Sequence, residues 1–494
     1  MEVELKLALD PADVGRLREA SALANARPVT NIVDAHYLDT REREVARNGM
    51  ALRIRRAGRR WMQCVKAGAS GTGGLHSRHE WEIERPGPEV DLSLFRDTPL
   101  AQLPDAGTLH ERLSVAFRVT YERTAWIIAP MPGTRLEVAL DVGEVRRGKH
   151  AEPICELEIE CLEGDAMAAF DLALRLNEVV ALRASPVTKA QRGYRLLRGK
   201  PRRPVRAEPS RVTFDMTPAQ AAAAIVAGGL DQLQANEEGV LLAADPEFVH
   251  QARVALRRIR SALRIFRKPI GAKRADAWRR ELAHASRALG EARDWDVFVS
   301  ETLPAILASH AVQRGTLRLR ERAAKQQSQA RGAAREAVRS SRYARAVLEV
   351  SRWLADPADA TDDGSLEDFA ARLLRRRHEQ LAGDLERLPD ADMAERHRAR
   401  IDAKRLRYVV EGLAPALDAL AARRYARQLS RLQDALGRAN DAVAGERLLQ
   451  TLHPPAALAA HAKRWLAGRI RGETGKLPRL ASEITGARPF WRPS

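Results

Sequence analysis

HQARVALRRIRSALR, residues 250–264, returns as HRARIDAKRLRYVVE at 397–411. Both copies read His, then Ala two on, Arg three on, and a basic residue seven, eight and ten on. Further along, LGEARD (289–294) is answered by LGRAND (436–441). The offset is the same for both pairs, 397 − 250 = 147 and 437 − 290 = 147. Two motifs kept in register over that distance predict a duplicated helical unit. Wound at about 100° per residue, the first copy places His250, Arg253, Arg257, Arg260 and Arg264 on one stripe. Leu256, Ile259, Leu263 and Phe266 fall on the opposite side. The second copy sets His397, Arg400, Lys404 and Arg407 against Leu406, Val410 and Leu413. Each helix can therefore bury one stripe and present a ladder of cations on the other. A solvated basic face is the simplest explanation of one such helix. Solvated faces usually mix Glu among the cations, and the second ladder meets no acid on its stripe until Glu411. Two unbroken ladders point to an extended polyanion ligand.

Around these helices the chain divides unevenly. At 494 residues it is too long for one core, so two or three domains are expected. Its formal net charge is +18. Residues 1–200 hold 30 Lys and Arg against 29 Asp and Glu, a net of +1, which leaves +17 for residues 201–494. The polyanion signal belongs to the C-terminal part alone. Three cysteines, Cys64, Cys155 and Cys161, show no metal-binding spacing and read as small core residues in a reducing compartment. The opening MEVELK is no leader and no apolar run approaches membrane-spanning length, so a cytoplasmic protein without a membrane partner is expected.

The N-terminal part alternates. EVELKL (2–7) puts Glu2, Glu4 and Lys6 on one strand face, ALRIR (51–55) does so for Arg53 and Arg55, and WMQCVK (61–66) brings Lys66. RHEWEIE (78–84) aligns Arg78, Glu80, Glu82 and Glu84, and 116–127 contributes Arg118 and Arg123. EVALDVG (137–143) carries Asp141, ELEIE (156–160) aligns Glu156, Glu158 and Glu160, and TKAQRGY (188–194) follows a helix near 164–180 with Lys189 and Arg192. Many short antiparallel strands suggest a barrel or curled sheet. Each charged face alone would suit solvent. Whole faces of one sign, closed into a barrel, would instead line a lumen where cations bind phosphate and carboxylates hold a hard divalent ion.

EVELK, ALRIR, the R-x-E-x-E of 78–82, LDVG, ELEIE and KAQRGY, in that order, resemble the CYTH family of triphosphate tunnel metalloenzymes over residues 1–197, with Thr188 where the family often has Ser. The resemblance implies an eight-stranded antiparallel β tunnel that acts on triphosphates with Mg²⁺ or Mn²⁺. Carried over by matched positions, Glu4, Lys6, Arg53 and Arg55 would be catalytic. Lys66, Arg78, Arg118, Arg123 and Lys189 would bind phosphate, and Glu2, Glu4, Glu80, Asp141, Glu156 and Glu158 would hold metal. No P-loop or GxGxxG is present, which favours inorganic triphosphate over a nucleotide; thiamine triphosphate and ATP stay open.

Residues 198–212 are rich in Pro and Arg and read as a linker. Beyond it nearly everything reads as helix, starting at a Thr217–Pro218 cap and breaking near 244–247, 268–272, 355–365 and 453–456. The two ladders with their LG motifs resemble the CHAD family over residues 213–485. That implies a pair of four-helix bundles with pseudo-twofold symmetry (halves about 213–350 and 360–485) that binds inorganic polyphosphate. His250, Arg253, Arg257, Arg260, His397, Arg400, Lys404 and Arg407 would line the anion site; if the two histidines meet across the pseudo-dyad, their protonation would tune anion binding near neutral pH. The expectation is a metal-dependent inorganic triphosphatase carrying a polyphosphate-binding domain, which can localise it to polyphosphate granules. The alternative is a non-catalytic polyphosphate-binding scaffold. Nucleic acid is disfavoured by an aromatic content of 5% and the lack of a base-stacking motif.

Overall fold

The computed structural model describes residues 2–71, 73–199, 201–309, 316–356, 364–388 and 391–491. Two compact units divide the chain: Met1–Arg203 with Arg339–Asp356, and Pro204–Val338 with Pro357–Ser494.

The first unit is a closed barrel of eight antiparallel strands: β1 (Glu2–Ala8), β2 (Val29–Asp39), β3 (Met50–Ala57), β4 (Arg60–Ser70), β5 (Leu75–Arg85), β6 (Ser114–Met131), β7 (Thr134–Arg147) and β8 (His150–Glu163). They run β5-β4-β3-β2-β6-β7-β8-β1, and β1 closes the ring on β5. A two-residue β9 (Arg183–Ala184) adds beside β1. Strand alternation turns the charged positions inward and the apolar ones outward. Leu52, Ile54 and Val65 accordingly pack outside the barrel against Phe95, Leu100, Leu103 and Leu109 from the short turns before β6. The hydrophobic core thus lies around the barrel wall, and the lumen is free for polar chemistry.

One stretch of the lumen is apolar. Tyr37 stacks on Phe117 (4.7 Å between rings), and Tyr194 meets Phe117 edge-on (5.1 Å). Tyr194 belongs to α2 (Lys189–Arg198), which follows α1 (Met167–Leu176), shorter than the 164–180 expected. Thr188 starts α2 with a capping box to Gln191. Gly193 permits its close approach, since a Cβ there would lie 2.0 Å from the Phe117 ring. The Tyr194 hydroxyl donates to buried Asp39 (2.7 Å).

The second unit is helical. Its first bundle contains α3 (Pro218–Leu242), α4 (Pro246–Ile265), α5 (Ala272–Val297) and α6 (Thr316–Arg339). After α7 (Ser341–Ala355), which clusters with the barrel, come α8 (Leu366–Glu386), α9 (Met393–Leu413), α10 (Ala419–Thr451), α11 (Ala456–Thr474) and α12 (Leu477–Thr485). The sequence repeat is structural: α4 and α9 begin 393 − 246 = 147 apart, and α5 and α10 begin 419 − 272 = 147 apart. Thr217 and Asp245 cap α3 and α4 with Pro at the first position. Leu256, Ile259 and Leu263 of α4, and Leu406, Val410 and Leu413 of α9, are buried as the periodicity predicts. Most of the break read at 355–365 lies outside the described residues. Residues 204–212, read as part of a linker, are irregular but held to the helices: the Asn236 amide bonds both the N–H (2.9 Å) and C=O (2.8 Å) of Val205, and Val212 is fully buried. No described helix is long and apolar enough to cross a membrane.

Candidate functional site

The barrel lumen gathers nearly all the residues singled out in the N-terminal sequence. Seven cations line it, each in contact with at least one carboxylate. Lys66 reaches Glu2 (2.9 Å) and Glu80 (2.6 Å), Arg53 reaches Glu80 (3.2 Å), and Arg55 reaches Glu82 (2.9 Å). Arg78 bridges Glu2 (3.3 Å) and Glu4. Lys6 pairs with Glu158, Glu156 (3.5 Å) and Glu4 (3.8 Å). Lys189 holds Asp141 and Glu156 (2.6 Å each) and Glu158 (2.9 Å), while Arg123 grips Asp141 bidentately (2.7 Å) and Glu158 (2.6 Å). Buried charges survive only when paired in this way.

Arg118 is the exception and corrects the sequence reading. It is exposed on the opposite face of β6 from Arg123. Five positions separate the two, and an odd spacing in a regular strand puts side chains on opposite faces.

The carboxylates divide by their surroundings. Burial alone would raise Glu80, Glu156 and Glu158, but Lys66 and Arg53, or Lys189 and Lys6, outweigh it and hold them below the usual carboxylate range. Glu160, left out of the expected metal set, behaves otherwise. It sits opposite Glu4 on β1 and Glu137 on β7, and burial followed by the charges of Glu2 and Glu137 pushes it up to about 7. Glu2 is raised as well, chiefly by burial. Acids that lie opposite one another on neighbouring strands repel unless a cation joins them. The signal for Glu160 was already in the alternation of ELEIE.

Among the described residues two groups have ligand atoms within 4.8 Å of one another: Asp141, Glu156 and Glu158, and Cys64, Glu80 and Glu82. The first is all hard oxygen, which fits Mg²⁺ or Mn²⁺, though Lys189, Lys6 and Arg123 already neutralise it. The second is a poorer fit. Burial, reinforced by Glu80, pushes the Cys64 thiol up to about 12, so it stays protonated and donates to Glu80 (3.0 Å). Glu160 faces Glu4 across the β1–β8 pair and is raised by burial, Glu2 and Glu137, so a divalent ion beside it would relieve repulsion. Cys64 is buried as expected, but against a carboxylate instead of an apolar core.

The helical unit holds a separate cavity of about 280 Å³ between α4, α5, α9 and α10. His250, Arg253 and Arg257 line it from α4, and Arg400, Lys404 and Arg407 from α9. Arg260 instead turns to Ser286 of α5 (3.2 Å). His397 is exposed and outside the lining, so the two histidines do not meet at the pseudo-dyad. The sequence reading missed Arg293 and Arg438, which come from the LG motifs and complete the wall. Seven cations therefore face three carboxylates, Asp294, Asp434 and Asp441. Asp294 and Asp441 stand inside α5 and α10, not at helix caps; Asp294 lies 3.8 Å from Arg253. The guanidiniums of Arg257 and Arg407 each lie 5.5 Å from the centre of the Tyr408 ring, and Arg257 also donates to the Tyr408 hydroxyl. His250 Nδ1 is buried with no hydrogen-bond partner. Burial and then Arg257, Arg400 and Arg253 push Lys404 down to about 7.

A charge-lined β tunnel joined to a duplicated helical bundle with a cationic cavity defines the class of protein. Residues 1–194 match the CYTH domain and residues 224–450 the CHAD domain, so the chain is a CYTH domain followed by a CHAD domain. An inorganic triphosphatase of Haemophilus influenzae is 30% identical over 199 residues, which are 40% of this chain and 54% of that protein. The chain thus spans about half the length of this curated relative. The CHAD domain of the plant Ricinus communis is 32% identical, covers 59% of this chain and 99% of its own, and superposes with a TM-score of 0.52. A Hippeastrum protein described as having a dominant triphosphatase activity matches 40% of this chain and 96% of its own at 20% identity and a TM-score of 0.31.

Proposed function

We propose that the tunnel hydrolyses inorganic triphosphate with Mg²⁺ or Mn²⁺ and that the helical cavity binds inorganic polyphosphate. The observation that carries the first part is one lumen in which seven cations each contact a carboxylate. Triphosphate would take over the cations, and the carboxylates so released would be free to hold a divalent ion. Glu2 and Glu4, with Glu160, would hold that ion, with Glu80, Asp141, Glu156 and Glu158 as the further oxygen donors. When bound, it neutralises phosphoryl charge and favours ionisation of water. Lys6, Arg53 and Arg55 hold the terminal phosphoryl oxygens, and Lys66, Arg78, Arg123 and Lys189 hold the rest of the chain. Glu4 accepts a proton from the attacking water as its oxygen bonds to the terminal phosphorus. The bridging P–O bond breaks, and pyrophosphate and phosphate result. In the helical cavity, a lining with more cations than carboxylates leaves room for the negative charge of a phosphate chain. The chain's location would be the cytoplasm, with polyphosphate granules as a site of enrichment.

The experiment is phosphate release from inorganic triphosphate by wild type and Glu4→Ala, with each metal. Metal-dependent turnover that collapses by about 10²–10⁴-fold in the variant supports a base in the tunnel. No turnover in protein that still binds polyphosphate would overturn the enzyme and leave the scaffold. Displacement of polyphosphate from the full chain by DNA at equal charge would make the helical cavity a general polyanion site.

A further inference from the structure

Helix α7 comes from the middle of the duplicated helical region, and the CHAD match runs through it. Its residues nevertheless belong to the compact unit of the tunnel. The Asn177 amide donates to the Ser341 carbonyl (2.9 Å) and accepts from the Leu182 N–H (3.0 Å), which ties the first turn of α7 to the loop entering β9. Ion pairs from Arg352 to Asp171 (2.9 Å) and from Arg345 to Glu178 (3.8 Å) flank the helix. Exposed pairs contribute little, so the fit rests on its buried side.

There Ser351, with no exposed surface, lies directly on Gly73. Gly73 has φ +71°, and a Cβ on it would come within 2.2 Å of Ser351 Oγ. The Ser351 hydroxyl is used within its own helix, donating to the Val347 carbonyl (2.8 Å), so its contact with Gly73 is one of shape. Gly74 accepts a hydrogen bond from the Lys6 N–H (2.9 Å), and a Cβ on Gly74 would lie 2.9 Å from the Ala184 Cβ. The Lys6 carbonyl in turn accepts from the Ser185 N–H (2.9 Å). The backbone of Lys6 is thus clamped on both sides, and α7 backs one jaw of the clamp. The Lys6 ammonium meets Glu4, Glu156 and Glu158 in the lumen, so the clamp sets the backbone from which that side chain reaches them.

We infer that α7 is a positioning element of the tunnel: Ser351, pressed on Gly73, fixes the Gly74–Lys6–Ser185 clamp that aims the Lys6 ammonium. Ser351 is a positioning residue, since it reaches the lumen only through Gly73 and Gly74. The inference rests on the proposed triphosphatase reading for the role of Lys6. It makes a helix drawn from the CHAD sequence a working part of the CYTH tunnel.

The test is a double-mutant cycle in the full chain: Ser351→Leu, a wedge against Gly73, in the Lys6 and Lys6→Ala backgrounds. The wedge is expected to lower kcat/KM for triphosphate by about 10–100-fold when Lys6 is present. It should change it less than about twofold when Lys6 is absent, because no aimed ammonium remains to be misplaced. Equal losses in the two backgrounds, as a merely structural role would give, or no loss at all, overturns the inference. Ser351→Thr, one methyl larger, should give the same pattern at smaller amplitude and serves if the leucine variant does not fold. Wild type without turnover would instead break the triphosphatase reading. Amide hydrogen exchange then decides: faster exchange at Lys6 and Ser185 in Ser351→Thr, against an unchanged barrel, supports the clamp, and unchanged exchange at both overturns it.

Discussion

The tunnel and the helical cavity both gather cations, yet they handle buried charge in opposite ways. In the tunnel every one of seven cations touches a carboxylate, and Glu80, Glu156 and Glu158 are held ionised. In the helical cavity seven cations face three carboxylates, and Lys404 and His250 are pushed towards neutrality. A paired buried charge is fixed in place, whereas an unpaired one is held at the expense of stability. The tunnel can therefore admit a metal and a phosphate together by exchanging partners. The lining of the helical cavity holds fewer carboxylates than cations, which is what the proposed polyanion ligand would complement.

Deleting one lysine from each region exposes the contrast most sharply. Lys6→Met should lower triphosphate hydrolysis by at least about 10²-fold. It should also destabilise the protein by about 3–5 kcal/mol, because Glu156 and Glu158 lose a buried partner. Lys404 has only arginines among the charges that shift it, so Lys404→Met strips no carboxylate of a partner among the described residues. Its melting temperature should hold or rise. Scanning calorimetry of both variants reads the difference, and a fall of similar size in each would erase the distinction.

Next in size is the loss of two cavity arginines. Arg253→Ala combined with Arg400→Ala is expected to weaken polyphosphate binding by about 100-fold at low salt and to flatten its salt dependence by one to two counterions. Triphosphate turnover by the same protein should stay within about twofold of wild type. Titration calorimetry at several salt concentrations measures the first, and phosphate release the second. A parallel collapse of turnover would mean that the two regions do not act as separate anion sites.

Much of this contrast was open to reading in the chain itself. Period-2 alternation assigns Glu2, Glu4 and Lys6, and likewise Glu156 and Glu158, to one face whatever the barrel does around them. The same rule, applied to the five-residue gap between Arg118 and Arg123, would have sent Arg118 outside. Helical periodicity placed Arg253, Arg257, Arg400, Lys404 and Arg407 correctly. It failed for His397 and Arg260, because a shared stripe does not say how far along the helix the neighbour packs. Arg293 and Arg438 were passed over because each stands alone in its motif, and only the approach of α5 and α10 brings them to the ladders. The allegiance of α7 was beyond reach: its pattern shows a buried face, but not that Gly73 of the barrel lies under Ser351.

A structural test of the tunnel follows from its aromatic stretch. Gly193→Ala drives a methyl into the Phe117 ring, 2.0 Å away before relaxation. It should cost about 1–3 kcal/mol, as overpacking does. The polyphosphate affinity of the helical unit should not change. Calorimetry with a polyphosphate titration checks both halves of that statement.

The smallest expected effect is the most diagnostic of the helical cavity. Lys404 faces Arg253 and Arg257 of α4, Arg400 and Arg405 of α9, and, across the cavity, His250, Arg293 and the carboxylates of Asp294, Asp434 and Asp441. Burial and these arginines bring it down to about 7 from an ordinary 10.5. Its folded value lies below its unfolded one, so the unfolded chain binds more protons between them. The resulting penalty on stability is full below about pH 7 and fades as the pH rises towards 10.5. A bound phosphate chain supplies the missing countercharge and restores the proton. Binding should therefore take up protons above pH 7, and affinity should fall by about threefold to tenfold as the pH rises from 6 to 8. Lys404→Arg, which stays charged throughout, should flatten that profile without abolishing binding. Calorimetry in buffers of different ionisation enthalpy counts the protons directly. No uptake at pH 8 in wild type would mean that Lys404 keeps its charge without a ligand, and that the cavity is less short of negative charge than its seven-to-three lining implies.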